Sequence, residues 1–144
     1  MIATQQRRDG FLSCMSEAGL AESAQCLPGG FDYEAGHAAT MQLIGRPPMP
    51  DAILAANDEA AVGALNALRQ AHIDVPGEIS VAGIDDLRVA QFVGLTTVSL
   101  PLYEMGAMAA RHIIDTAPGD STSTATTILS HRLILRETTA RRTR

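Results

Sequence analysis

Three polar pairs in this chain follow short apolar runs, and their side chains are of the kinds that hold small ligands. Phe31-Asp32 comes after Gln25-Cys26-Leu27, Asn57-Asp58 after Asp51-Ala52-Ile53-Leu54-Ala55-Ala56, and Asp85-Asp86 after Ile79-Ser80-Val81-Ala82-Gly83-Ile84. An Asn amide both donates and accepts, an ionised carboxylate accepts from two hydroxyls or amines, and an aromatic face covers an apolar ring. Together they suit a sugar or a nucleobase-like ligand. Each residue also has an ordinary reading. Asn57 and Asp85 stand where helix caps stand, and Phe31 can be plain core. Arg7, near the start of the first predicted helix and off its apolar stripe, reads alone as a surface arginine.

Catalytic signatures are absent from the sequence. It contains no G-x-S-x-G elbow, no G-x-x-x-x-G-K-[ST] loop, no H-E-x-x-H and no G-x-G-x-x-G, so Gly29-Gly30 reads as a turn. His37, His72, His112 and His131 lie on different elements without ligand spacing and read as surface or edge histidines. Cys14 and Cys26 form no CxxC and read as reduced packing residues, with neither a zinc site nor a disulfide framework. No cofactor and no metal are expected.

The ligand-type residues need a frame, and the hydrophobic periodicity outlines one. Phe11, Leu12, Met15 and Ala18 mark a helical stripe between Gln5 and Ala18, which Gly19 is placed to end. Asp32 can cap a helix carrying Ala35, Ala38, Met41 and Leu43, stopped by Gly45 and Arg46-Pro47-Pro48-Met49-Pro50. Asp51 to Ala56 reads as a buried strand, and Asn57-Asp58 caps a helix with Ala61, Ala64, Leu65 and Leu68 on one side. The pattern repeats with the turn Val75-Pro76-Gly77-Glu78, a strand from Ile79 to Ile84, and Asp85-Asp86 as a second capping pair. Leu95-Thr96-Thr97-Val98 is a further strand. Pro101 opens a helix whose face holds Leu102, Met105, Ala109 and Ile113. A loop from Asp115 to Thr127 precedes a last strand around Arg132-Leu133-Ile134-Leu135-Arg136. Alternating helices and short apolar strands predict an α/β fold, a parallel sheet with flanking helices. In such a sheet, ligands bind beyond the carboxyl ends of the strands, where the three polar pairs fall.

Composition narrows the partners. At 144 residues and 46% hydrophobic, the chain is one domain with a core that needs no staples. A net charge of −5 argues against a nucleic-acid-binding surface, because phosphate affinity needs concentrated Lys and Arg. Arg136, Arg141, Arg142 and Arg144 gather near the end and read as a solvated tail. No apolar run approaches the roughly 18 residues of a membrane helix, and the first residues lack a signal-peptide stretch, so the chain is expected to be unexported, without membrane contact.

The ordered series of motifs resembles the C-terminal effector-binding part of the lactose-repressor (LacI/GalR) family of bacterial transcription regulators, which is similar to periplasmic sugar-binding proteins. It runs from Arg7-Arg8-Asp9-Gly10-Phe11 and Glu17-Ala18-Gly19-Leu20 through Gly30-Phe31 ahead of Gly36 to Pro50-Asp51-Ala52-Ile53 and Ala56-Asn57-Asp58-Glu59-Ala60-Ala61. It continues with Val75-Pro76-Gly77-Glu78-Ile79-Ser80-Val81-Ala82-Gly83-Ile84-Asp85-Asp86, Leu95-Thr96-Thr97-Val98, Met105-Gly106-Ala107-Met108-Ala109-Ala110 and Leu135-Arg136-Glu137-Thr138-Thr139-Ala140. The resemblance implies a partial periplasmic-binding-protein-like (type I) domain. It implies that Arg7 points into the effector cleft, that Phe31 stacks on the effector, and that Asn57 and Asp85 bind its hydroxyls or ring nitrogens.

The same resemblance implies a division of the chain. Residues 1–98 and about 128–140 would form a C-terminal subdomain, and about 99–127 a crossover toward an N-terminal subdomain that this chain lacks, leaving Leu102, Met105, Ala109 and Ile113 facing water. It implies a cytoplasmic, non-enzymatic protein that binds a small-molecule effector, a sugar or a purine-like compound. A homodimer is expected, with contacts near that stripe and near the helix around Ala61 and Leu65. Operator DNA would be met only through a helix-turn-helix outside this chain. A fragment of a periplasmic-type solute-binding protein is the alternative. Between Phe92 and Leu95 stand only Val93 and Gly94, where relatives usually have a longer, proline-containing loop.

Overall fold

A computed structural model describes residues 2–115 and 126–141. In chain order its elements are α1 (Ile2–Glu17), a short 3₁₀ turn (Ala21–Ser23), α2 (Tyr33–Ile44), β1 (Ala52–Leu54), α3 (Asp58–Gln70), β2 (Ser80–Asp85), α4 (Arg88–Phe92), β3 (Thr96–Ser99), α5 (Leu102–Asp115) and β4 (Arg132–Ile134). The strands form one sheet in the order β1-β2-β3-β4. The expected α/β architecture is present, and β1, β2 and β3 are parallel. β4 departs from the parallel expectation by pairing antiparallel to β3. Ser99, the last residue of β3, lies opposite Arg132, the first of β4, so the chain leaves and re-enters the sheet at the same end. Gln25-Cys26-Leu27 forms no strand. Pro28 removes a backbone donor immediately after it. The expected loop falls largely on 116–125, and Arg142 and Arg144 of the expected tail also lie outside the described residues.

The core is built on α3. Ala61, Ala64 and Leu68 are buried against Ile79, Val81, Ala90 and Leu95, as their i, i+3, i+7 spacing predicts. That side of the helix is therefore filled, and only the outward residues of α3 remain for any partner. The other side meets α2 at two glycines: Gly36 lies against the Ala60 backbone, and Gly63 against the carbonyl of Tyr33. Any Cβ at either position would enter the opposite helix's main chain, so the two helices approach backbone to backbone.

Side chains near both helix starts match the sequence reading. Asp32 accepts from Ala35 N–H at 2.8 Å and Asn57 from Ala60 N–H at 2.9 Å. Asp85 and Asp86 do not cap; the cap position of α4 is Leu87, which makes no side-chain cap bond. Both cysteines are exposed rather than packed. On α5, Leu102, Met105, Ala109 and Ile113 face water as expected, with Ile113 75% exposed.

Beyond β4 the chain is stitched into the sheet. Val81 N–H donates to the Thr138 carbonyl at 2.8 Å, and the Thr138 hydroxyl donates to the Val81 carbonyl at 2.7 Å while accepting from Thr96 N–H at 2.9 Å. Glu137 N–H donates to the carbonyl of Gly94, whose φ of 62° closes the short turn after α4. Arg136 belongs to this stitching and not to a solvated tail.

Candidate functional site

Phe31, Asn57 and Asp85, singled out by type, and Arg7, singled out by the resemblance, meet at the carboxyl ends of β1 and β2. Arg7 makes the junction. Its Nη1 donates to the carbonyl of Ala56 at 2.5 Å, its Nη2 lies 3.3 Å from Asp85 Oδ1, and its guanidinium stands 5.7 Å from the centre of the Phe31 ring. Asn57 completes the group, donating from Nδ2 to the Phe31 carbonyl at 2.8 Å.

Local sequence explains part of this. Among the described side chains of α1, Arg7, Phe11 and Met15 are the half-buried ones, four apart, while Leu12 and Ala18 are exposed. The inward stripe of α1 therefore runs through Arg7, which corrects the expectation that Arg7 lies off it. Four residues advance a helix by only about 40° beyond a full turn, so the arginine shares the face of Phe11. Asn57 is 8% exposed and both caps α3 and ties down Phe31, so the capping reading holds for it. It retains a second N–H and a second lone pair. Asp85 is the last residue of β2, and its half-buried carboxylate lies beside Arg7.

Three further polar residues, Asp58, Asp86 and Arg136, make contacts that the sequence reading did not assign to them. Asp58 is fully buried; its Oδ2 accepts Leu87 N–H at 2.7 Å and its Oδ1 accepts the Thr97 hydroxyl at 2.5 Å. Burial holds the Asp58 carboxyl above its ordinary range, with the Thr97 and Leu87 bonds pulling it down and the charges of Asp85 and Asp86 adding to the rise. Asp86 pairs with Arg136 at 2.6 Å. Asp85 and Asp86 have φ of 115° and 56°, conformations that cost an ordinary residue about 1–3 kcal/mol each and cluster at functional sites. The signal for Asp58 was its place just behind an Asn cap, which marks a helix start but not burial. Arg136 carried no signal that separated it from the arginines following it.

The arrangement offers an aromatic face, a guanidinium, a carboxylate and a primary amide along one rim of the sheet. It provides hydrogen bonding and stacking, with no nucleophile paired to a base. Among the described residues no group of three metal-ligating side chains occurs, and no helix is long and apolar enough to cross a membrane.

Comparison with known proteins identifies the family. The periplasmic binding protein-like domain matches residues 3–139. The regulator GalS of Salmonella typhimurium is 35% identical over 137 residues, 93% of this chain and 40% of GalS. A LacI transcriptional regulator from a Rhodococcus species superposes with a TM-score of 0.85 at 36% identity, over 92% of this chain and 50% of that one. A LacI family regulator from Enterococcus faecium, solved with bound ribose, gives 0.84 at 25% identity, over 95% and 52%. This chain thus spans less than half the length of its curated relative and about half of the two solved chains. It belongs to the periplasmic binding protein-like domain family, and its likeness to LacI-type transcriptional regulators falls in their C-terminal effector-binding part.

Proposed function

We propose that this chain forms one wall of an effector cleft in a LacI-type regulator, with Arg7, Phe31, Asn57 and Asp85 as the ligand-binding residues and a sugar as the ligand. The observation that carries this is Arg7. It joins residues 49 and 78 positions away in sequence into one rim at the carboxyl ends of two parallel strands, the place where open α/β sheets bind ligands. In this reading a sugar ring covers the Phe31 face, its hydroxyls donate to Asp85 and bond the free positions of Asn57, and Arg7 redistributes its N–H groups between ligand and protein. The ribose in the E. faecium regulator supports the ligand class. The protein binds and does no covalent chemistry, as its relatives are transcriptional regulators.

Residues 1–98 and about 128–140 act as one subdomain and about 99–127 as the crossover to the other wall. That assignment is supported by α5, which carries its apolar stripe in the open. The working form is a cytoplasmic homodimer that reaches operator DNA through a separate head. An apolar groove beside α3 supports the dimer: half-buried Val62 and Leu65 line an open groove of about 380 Å³ with Tyr33, Val75 and Val93.

Titrating the chain with D-ribose and cellobiose, followed by amide NMR, tests the ligand assignment. Millimolar binding is expected, because one wall leaves the ligand half exposed. Asp85→Ala should weaken it by about 1.5–3 kcal/mol, the value of a hydrogen bond to a charged group. Unchanged affinity in Asp85→Ala removes Asp85 from the site.

A further inference from the structure

The turn that presents Asp85 is held from two directions by residues that do not themselves face the cleft. From below, buried Asp58 accepts the N–H of Leu87 and the hydroxyl of Thr97. From the side, Arg136 bridges from the start of β3 to the turn after β2. Its Nη2 donates to Asp86 Oδ1 at 2.6 Å, its Nη1 to the Leu95 carbonyl at 2.8 Å, and its own N–H to Thr96 Oγ1 at 2.9 Å. Two bonds on the guanidinium and one on its own main chain leave Arg136 little freedom, and only about a fifth of its side chain reaches solvent.

We infer that Arg136 is a positioning residue for ligand binding, locking the Asp85-Asp86 turn in its left-handed conformation and so aiming the Asp85 carboxylate at the ligand. The inference rests on the reading of Asp85 as a ligand-binding residue. The physical argument is that residues with φ of 115° and 56° persist only where their surroundings over-determine them. Asp85 is tied on its strand side by pairing with Ser99. On its other side the restraints are the Asp86 carboxylate held by Arg136, the Leu87 N–H held by Asp58, and a long contact of 3.4 Å from Asp86 N–H to Thr97 Oγ1. Releasing Asp86 lets the turn relax toward negative φ, which rotates the peptide carrying Asp85 and swings its carboxylate from Arg7. Arg136 arrives from a segment 50 residues further along the chain than Asp86, so the aim of the Asp85 carboxylate depends on how the chain returns after α5.

The test compares wild type, Arg136→Met and Arg136→Lys in the complete chain, with Arg132→Met on the exposed side of β4 as control. D-Ribose and cellobiose are titrated by amide NMR, hydrogen exchange is read at Asp86 and Leu87, and unfolding is measured by urea. Arg136→Met should weaken sugar binding about tenfold and speed exchange at Leu87, while Arg136→Lys, keeping the charge without the fork, falls between. Asp86→Asn combined with Arg136→Met should bind no worse than Arg136→Met alone, because both act through one contact. A loss of stability in Arg136→Met with affinity and Leu87 exchange unchanged overturns the inference, since that is what a purely structural arginine would give. If wild type binds neither sugar, the ligand reading fails and the positioning role fails with it, whereas sugar binding by wild type that is unchanged in Arg136→Met overturns the inference alone and leaves the ligand reading standing. If Arg136→Met does not fold, Arg136→Lys and Asp86→Asn carry the same comparison.

Discussion

Replacing Asp58 tests the electrostatics beneath the site. The carboxylate is fully buried and accepts one main-chain N–H and one hydroxyl. In Asp58→Ala both donors lose their acceptor, at about 1–3 kcal/mol each, and removal of a buried charge offsets part of that, so a net loss of about 2–4 kcal/mol is expected. Asp58→Asn keeps an oxygen for Leu87 and gains an N–H that can donate to Thr97, and should cost about 1 kcal/mol near neutral pH. The pH dependence separates this account from simple loss of contacts. Burial raises the Asp58 pKa above its ordinary 3.8, so from 3.8 up to the native value the folded chain keeps a proton that the unfolded chain has released. In that window the native state binds more protons, and its stability falls as pH rises. The contribution is complete below 3.8 and gone once pH passes the native value. Asn does not titrate, so the stability of Asp58→Asn relative to wild type should rise as pH goes from about 4 to about 7. Urea unfolding followed by circular dichroism across that range measures the difference. A flat difference, or one that falls with pH, refutes the argument that desolvation governs this carboxyl.

Two further outcomes follow from contacts described above. Thr138→Val preserves shape but leaves the Val81 carbonyl and the Thr96 N–H unpaired in a site where Thr138 is 5% exposed; a loss of about 2–5 kcal/mol is expected, and a loss below about 1 kcal/mol in urea unfolding would show that water or relaxation satisfies both groups. The exposed face of α5, with Met105 49% and Ile113 75% accessible, should drive association of the chain at micromolar concentration. Met105→Glu should lower the mass seen by light scattering, and a wild type that is already monomeric, with no change in the variant, would sink that expectation.

What residue types alone specify in this chain, and what they do not, divides along the range of the forces involved. Periodicity and caps report what lies within a turn or two, so the α3 core face of Ala61, Ala64 and Leu68, the caps Asp32 and Asn57, and the strand before Asp85 are legible from residue types alone; the strand before Asn57 is legible as a strand but not as a buried one, because β1 lies at the sheet edge with Ala52 and Leu54 exposed. The motif series made the fold and the four ligand-type residues legible, because their order along the chain is itself the pattern. Local pattern could not reveal where distant groups meet. Arg7 reads as a surface arginine until α1 turns its half-buried face toward the end of the sheet and sets the guanidinium on Asp85, 78 residues away. Asp58 reads as half of a capping pair, yet the packing of α3 on β2 and β3 removes it from water and makes it the acceptor for Leu87 and Thr97. Arg136 reads as part of a frayed basic end, yet the antiparallel return of β4 lays it across Leu95 and Asp86. In each case the deciding quantity is burial beside an opposite charge or an orphan backbone group. That quantity exists only once the tertiary fold has brought the partners together and excluded the solvent between them.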